Sequence, residues 1–243
     1  MKTCLVTGAT SGIGNALVEK MIAEGFRVIC IARNQSKLSE MVSTYGSDKI
    51  IPIECDVSIK DQVQEATSRL IEQEILPDIF FLNAGIAPTE PFDKLDLNLH
   101  HKIFETNYFG VLHWVEACLP QVLSAQKKAQ FIVTSSFSAI NAFPCFSGYS
   151  ASKAAINQCF ETLHLQHRKN GIDFLYVLAG PVNTPLLEGE KIKGMIEPKR
   201  AVEKIFEASK KQKQALKFPM FWKYFSWLLK NAPQRIKEKI IYG

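Results

Sequence analysis

Residues 2–22 constrain this chain more than any other stretch. A short β-rich run at 2–6 leads into Thr7-Gly8-Ala9-Thr10-Ser11-Gly12-Ile13-Gly14, and helix-like sequence follows with Ala16, Leu17, Val18, Met21 and Ile22. Strand, glycine turn and helix in that order let the backbone approach a pyrophosphate, while the helix N-terminus supplies N–H groups and a positive dipole end. A bare glycine-rich turn is more often only a tight turn. Its position between strand and helix favours nucleotide binding by Gly8, Thr10, Ser11, Gly12, Ile13 and Gly14.

The alternation then continues. Strand-like runs at 25–33, 49–54, 78–82, 130–136, 172–178 and 215–218 are interleaved with helix-like stretches at 37–45, 60–75, 97–126, 149–169 and 198–211. Strands separated by helical stretches predict βαβ units and a parallel sheet. In dinucleotide-binding folds the tip of the second strand meets the adenosine ribose, where an acid bonds the 2′-OH and an arginine accommodates a 2′-phosphate. Here the tip is Ala32-Arg33 with no acid, so NADP(H) is expected over NAD(H); the alternative is a solvated strand end. Asp56, followed by Val57, could accept from the adenine amine or cap the next segment. Asn83-Ala84-Gly85 could face the cofactor or close a strand. Asn107 and Gly110 are poor helix formers inside the 97–126 helix, so something other than propensity must hold them.

Tyr149-Ser150-Ala151-Ser152-Lys153 places a phenol and an ammonium at i and i+4, on one face of a helix. A cation there favours the phenolate and is expected to bring the Tyr149 pKa down from about 10, making Tyr149 a candidate general acid or base. Such a pair alone is usually a surface one. Ser136, at the end of the 130–136 strand, lies 13 positions upstream.

Taken together, Thr7-Gly8-x3-Gly12-x-Gly14, Asp56, Asn83-Ala84-Gly85, Asn107, Ser136, Tyr149-x3-Lys153 and Gly180-x-Val182-x-Thr184 resemble the short-chain dehydrogenase/reductases in order and spacing over about residues 1–218. The resemblance implies an α/β, single-domain, doubly wound Rossmann fold: a seven-stranded parallel sheet with helices on both faces. A nicotinamide cofactor would lie across the strand ends. Carried over by position, Tyr149 would exchange the proton with the carbonyl or alcohol oxygen and Ser136 would polarise that oxygen. Lys153 would hold the nicotinamide ribose and depress the Tyr149 pKa, Asn107 would position a relay water, and Thr184 would bond the carboxamide. The departures are Leu82 where an asparagine is usual, Ala179 where a proline is usual, and Ser11 where NADP-specific members often carry a basic residue. Arg33 therefore stands alone for the 2′-phosphate.

Composition bounds the rest. With 243 residues, 47% of them hydrophobic, one well-buried domain is expected. The start of the chain shows no signal-peptide pattern and no window is apolar enough to span a bilayer, so a cytoplasmic protein is expected, with peripheral membrane association as the alternative. Cys4, Cys30, Cys55, Cys118, Cys145 and Cys159 have no metal-site spacing; they read as reduced, mostly buried thiols, with no metal site. Residues 199–243 hold twelve Lys or Arg against three Asp or Glu, so they carry +9 of the net +5 and the rest of the chain −4.

Residues 219–243 form a basic, aromatic extension around Phe221, Trp222, Tyr224, Phe225 and Trp227. Burial on the domain is the first expectation, with a lid, a dimer contact or weak membrane-surface contact as alternatives. By the family resemblance, residues 186–195 would be a substrate lid, and its two glycines suit hinge motion, with Phe143, Phe146, Leu186 and Leu187 beside an apolar pocket. The same resemblance implies a homodimer or homotetramer through the Asn107 and Tyr149 helices, where Phe104, Val111, Leu112, Val115, Phe160 and Leu163 could serve, unless these pack on the sheet. Nucleic-acid binding is not expected, since the basic excess matches no motif. The reading is an NADP(H)-dependent oxidoreductase acting on a carbonyl or alcohol of a hydrophobic small molecule. The alternatives are a catalytically idle NADP(H)-binding sensor or scaffold, and a peripheral membrane reductase of lipid-like substrates.

Overall fold

The computed structural model describes residues 2–187, 192 and 194–242, without the side chains of Lys223, Lys230 and 239–242. Much of the expected lid, including Gly189, Lys191 and Lys193, lies outside the described residues. Seven strands form one parallel sheet: β1 (Thr3–Thr7), β2 (Arg27–Ala32), β3 (Ile50–Glu54), β4 (Ile79–Leu82), β5 (Ala129–Ser136), β6 (Ile172–Ala179) and β7 (Ala215–Phe218). Their order across the sheet is β3-β2-β1-β4-β5-β6-β7. The chain reverses its direction of travel between β1 and β4, and the crevice outside their carboxyl ends is where such sheets bind ligands.

Both faces of the sheet are covered, which is why the strands read as nearly continuous apolar runs. Alternate residues face opposite ways. Cys4, Val6, Val28 and Cys30 pack toward α1 (Gly12–Ala23), α2 (Gln35–Tyr45) and α7 (Pro198–Lys210). Leu5, Ile29, Ile31 and Phe80 pack toward α3 (Lys60–Glu72), α5 (Gly110–Ser124) and α6 (Ser147–His167). Val111, Val115 and Phe160 are buried in this second layer, with Leu112 and Leu163 packed against it. Val111, Val115 and Phe160 thus pack on the sheet, as helices that cover a parallel sheet must bury their apolar stripe there, while Phe104, Leu112 and Leu163 stay half-buried. Four of the six cysteines are buried and two are half-buried.

An aromatic ladder crosses the middle of the sheet. Phe131 stacks on Phe80 (centroids 4.3 Å apart, planes 6°) and on Phe174 (5.0 Å, 10°), and Phe174 takes Phe160 edge-on at 5.4 Å. Phe131→Ala empties the centre of that ladder and is expected to destabilise the fold by roughly 3–5 kcal/mol, read as a lower urea midpoint at an unchanged slope.

The expected 97–126 helix is interrupted. It runs as α4 (Leu97–Phe104), a π-helical turn (Glu105–Phe109) and α5, with Asn107 in the wide turn. The wider turn accommodates the extra residue where helix propensity is poor, and such turns concentrate at functional sites. After β7 the extension forms α8 (Met220–Asn231) and α9 (Gln234–Tyr242). Burial of its aromatics is only half correct: Trp222 and Phe225 turn inward, while Phe221, Tyr224 and Trp227 are exposed. A two-turn seam of Trp222, Phe225, Ser226 and Leu229 is all that one side of a short helix can bury, so the opposite side remains outside.

Candidate active site

The loops after β1, β4, β5 and β6 build the site. Thr7 ends β1, and its Oγ1 accepts from the main-chain N–H groups of Asn83 (2.9 Å) and Ala84 (3.0 Å). Thr134 Oγ1 of β5 donates to Asn83 Oδ1 at 3.0 Å. Asn83 thereby ties three strand ends together. Gly8 and Gly12 have φ of 65° and 52°, the region that favours glycine. A Cβ on Gly14 would stand 1.9 Å from Gly8 O, and one on Gly12 would stand 2.9 Å from Thr184 Cγ2. The backbone of the turn is thus bare and tightly folded. Ser11 caps α1 without a side-chain bond and no acid occupies the first turn, so the helix N-terminus keeps its donors and positive potential for an anion.

Two cavities flank this turn. The smaller, about 170 Å³, is lined by Gly8, Thr10, Ser11, Ala32, Arg33, Asp56, Val57, Ala84 and Gly85, with Ile86 and Thr106. Arg33 Nη1 lies 3.7 Å from Asp56 Oδ2, and Asp56 Oδ1 accepts from Ser58 N (3.0 Å) and Oγ (2.7 Å). Asp56 is therefore both a cap and a partner of Arg33. The larger cavity, about 350 Å³, is lined by Ile13, Ser136, Tyr149, Gly180, Val182 and Thr184 together with Phe143, Phe146, Leu186, Leu187 and Trp222. Its walls are mostly apolar, with Ser136, Ser138, Tyr149 and Thr184 among the hydroxyl-bearing residues that line it.

Ser136 closes β5, and its Oγ accepts from Ser138 N at 3.1 Å. Tyr149 and Lys153 stand one turn apart on α6, as the spacing predicts, with Lys153 Nζ 5.8 Å from the Tyr149 ring centre. The Lys153 ammonium is buried and donates to Thr134 O at 2.9 Å. Burial pushes it down to about 8. Burial also pushes the Tyr149 phenol up, and its hydrogen bond with the Ser136 hydroxyl offsets only part of this. The expected lowering of Tyr149 by Lys153 is therefore not found: desolvation dominates, and Lys153 holds its proton less tightly than a free lysine.

Asn107 is fully buried, and its side chain is engaged at both ends. Oδ1 accepts from Ile86 N at 2.8 Å, while Nδ2 donates to Ile86 O at 2.9 Å and to Ser152 Oγ at 3.2 Å. It pins the loop after Gly85 to α6. Gly85 has no room to spare either, since a Cβ there would lie 3.1 Å from Asn107 Oδ1 and 3.4 Å from Lys153 Nζ.

Sequence reasoning missed Glu90. The carboxylate is buried and accepts from Gly148 N (2.6 Å) and Ser147 Oγ (2.5 Å), with His100 Nε2 at 3.2 Å. It caps α6 where Phe146 gives no side-chain cap, immediately before Tyr149. No local pattern announces this, because the bond spans 58 residues. Burial raises the Glu90 carboxyl, but the bonds from Ser147, Gly148 and His100 outweigh it and leave it below the ordinary value. Its contribution is therefore full above the unfolded carboxylate pKa and is lost as pH falls through the lower folded one. Glu90→Gln is expected to cost roughly 1–2 kcal/mol at pH 7. Denaturant melts at descending pH should show the gap to the parent closing below about pH 4.

The comparisons agree with this geometry. The family model described as short chain dehydrogenase matches residues 2–193. An uncharacterised oxidoreductase of Listeria monocytogenes is 32% identical over 191 residues, covering 77% of each chain. The NADPH-dependent 1-acyldihydroxyacetone phosphate reductase of Saccharomyces cerevisiae is 29% identical, covering 77% of this chain and 63% of that protein. Among solved structures, a short-chain dehydrogenase of Streptomyces avermitilis superposes with a TM-score of 0.85 at 26% identity, covering 98% of this chain and 94% of that one. The chain belongs to the short-chain dehydrogenase family and is an oxidoreductase of that family.

Proposed function

We propose that the protein is an NADP(H)-dependent oxidoreductase that interconverts a carbonyl and an alcohol on an apolar small molecule. One observation carries the reading: Ser136 and Tyr149, whose hydroxyls hydrogen-bond to each other, both line a mostly apolar cavity of about 350 Å³. An idle binder would need neither. The bare turn at Gly8, Thr10, Ser11, Gly12 and Gly14, with the N-terminus of α1, fits a pyrophosphate; Arg33 would hold the 2′-phosphate end, Asp56 and Val57 the adenine side. Asn83, Ala84 and Gly85 back that site, while Lys153, Gly180, Val182 and Thr184 would hold the nicotinamide end. When bound, the nicotinamide supplies or accepts the hydride. Tyr149 Oη gives the proton to the carbonyl oxygen during reduction, and Ser136 Oγ donates a hydrogen bond to the same oxygen. The yeast relative's NADPH dependence and acyl-bearing substrate accord with the Arg33 tip and the apolar walls.

The test is absorbance loss at the nicotinamide band with NADPH, and separately NADH, across aldehydes, ketones and quinones. Turnover should favour NADPH. Arg33→Ala should raise the NADPH KM by roughly tenfold and leave the NADH KM alone, a modest factor because the guanidinium is well exposed and already shares Asp56. Equal use of both cofactors by the parent would remove the 2′-phosphate assignment. Silence across the panel despite tight NADPH binding would favour the idle binder.

A further inference from the structure

We infer that the outward face of α8 docks on an anionic membrane surface. Met220, Phe221, Tyr224, Trp227 and Leu228 recur at i, i+1, i+4, i+7 and i+8, so they share one side of the helix, and each is about half to two-thirds exposed. The opposite side is firmly seated. Trp222 lies against Gly180, where a Cβ would meet its Cδ1 at 2.8 Å, Asn141 Nδ2 donates to Ser226 Oγ at 2.7 Å, and Leu229 is buried. The exposed stripe is therefore held in place and not left by a frayed terminus.

Charge selects the occupant. Residues 219–243 hold five Lys or Arg against one Glu, so a second copy meeting this face symmetrically would bring +4 against +4. A bilayer with anionic headgroups is complementary, and Trp and Tyr are side chains that suit the headgroup boundary. The helix has 12 residues, about 18 Å of rise, and among the described residues no helix is long and apolar enough to cross a membrane. It would lie on the surface. Trp222, on the same helix, also walls the larger cavity, as does Leu186, which is itself 46% exposed. On the oxidoreductase reading, docking would set that cavity beside the acyl region and admit a lipid-like substrate.

Full-length protein should co-sediment with vesicles of 70% phosphatidylcholine and 30% phosphatidylserine in about 0.1 M salt, with a blue shift in tryptophan emission that Trp227→Phe removes. Binding should weaken at least about fivefold in about 0.5 M salt and at least about tenfold on pure phosphatidylcholine. Tyr224→Ser/Trp227→Ser should lose binding about tenfold while keeping parental turnover of a water-soluble ketone. Sedimentation needs no turnover, so loss of docking and loss of the oxidoreductase reading are told apart. Three results would overturn the proposal: no sedimentation at low salt, equal sedimentation of the double variant, or a reversible dimer that the variant dissolves without any vesicle binding. The last would make a second copy the occupant.

Discussion

Tyr149→Phe is expected to lower kcat for carbonyl reduction by about 10²–10⁴-fold while leaving NADPH binding and the melting temperature close to parental. The ring is retained, so its edge-to-face contact with Phe146 at 6.4 Å survives and only the hydroxyl is removed. The size of the loss follows from the absence of a substitute. Ser136 can hydrogen-bond a substrate oxygen, but an unassisted hydroxyl is far too weak an acid to deliver a proton. Burial raises the Tyr149 pKa, so the phenol holds its proton throughout the neutral range and is ready as an acid. The reducing rate should accordingly stay level through neutrality, and a decline setting in at about pH 8 would mark the Lys153 proton and not that of Tyr149, whose raised value lies higher. The check is single-turnover hydride transfer in parent and variant between pH 6 and pH 10. A variant retaining more than a tenth of parental kcat would take the acid role from Tyr149.

Gly14→Ala is the second large effect, and it acts on cofactor and fold together. The added methyl would sit 1.9 Å from Gly8 O and 2.7 Å from Gly8 C, with Asn83 Nδ2 at 3.0 Å. These neighbours are backbone and a side chain bonded to Thr134, so none is a loose end that swings aside. The turn must open, which shifts Gly8 off Ala84 and redirects the N–H groups at the start of α1. Affinity for NADPH is expected to fall by at least about 100-fold, about 2.7 kcal/mol, with a lower melting temperature as the bond network at Thr7 loosens. Titration of NADPH fluorescence measures the first and circular dichroism melts the second. Near-parental binding would mean that the turn does not cradle the cofactor.

The same contrast between local and distant causes explains what could be read in advance. Strand and helix positions follow from short-range patterns, so all seven strands and the main helices were legible to within a few residues. So was the pairing of Tyr149 with Lys153, which depends only on helix pitch. Ser136 and the residues from Gly180 to Thr184 were assigned roles only through the family resemblance of their order and spacing; the parallel sheet, in which each strand end delivers its loop to the same edge, is the physical reason such an order works. The π turn at Asn107 was legible only as a misfit in helix propensity.

What the chain by itself determined is the βαβ alternation of a parallel sheet and the bare glycine turn, since periodicity and glycine placement act within a few residues, and its family resemblance supplied the doubly wound order and the groups brought to the crevice. Tertiary structure alone decided how those groups behave. Burial raised the Tyr149 pKa and drew Lys153 down to about 8, an outcome of the dielectric around α6 that no i,i+4 spacing contains. Glu90 reached the start of α6 across 58 residues. The extension divided its aromatics between the cavity wall and an open face because only one side of α8 could meet the domain.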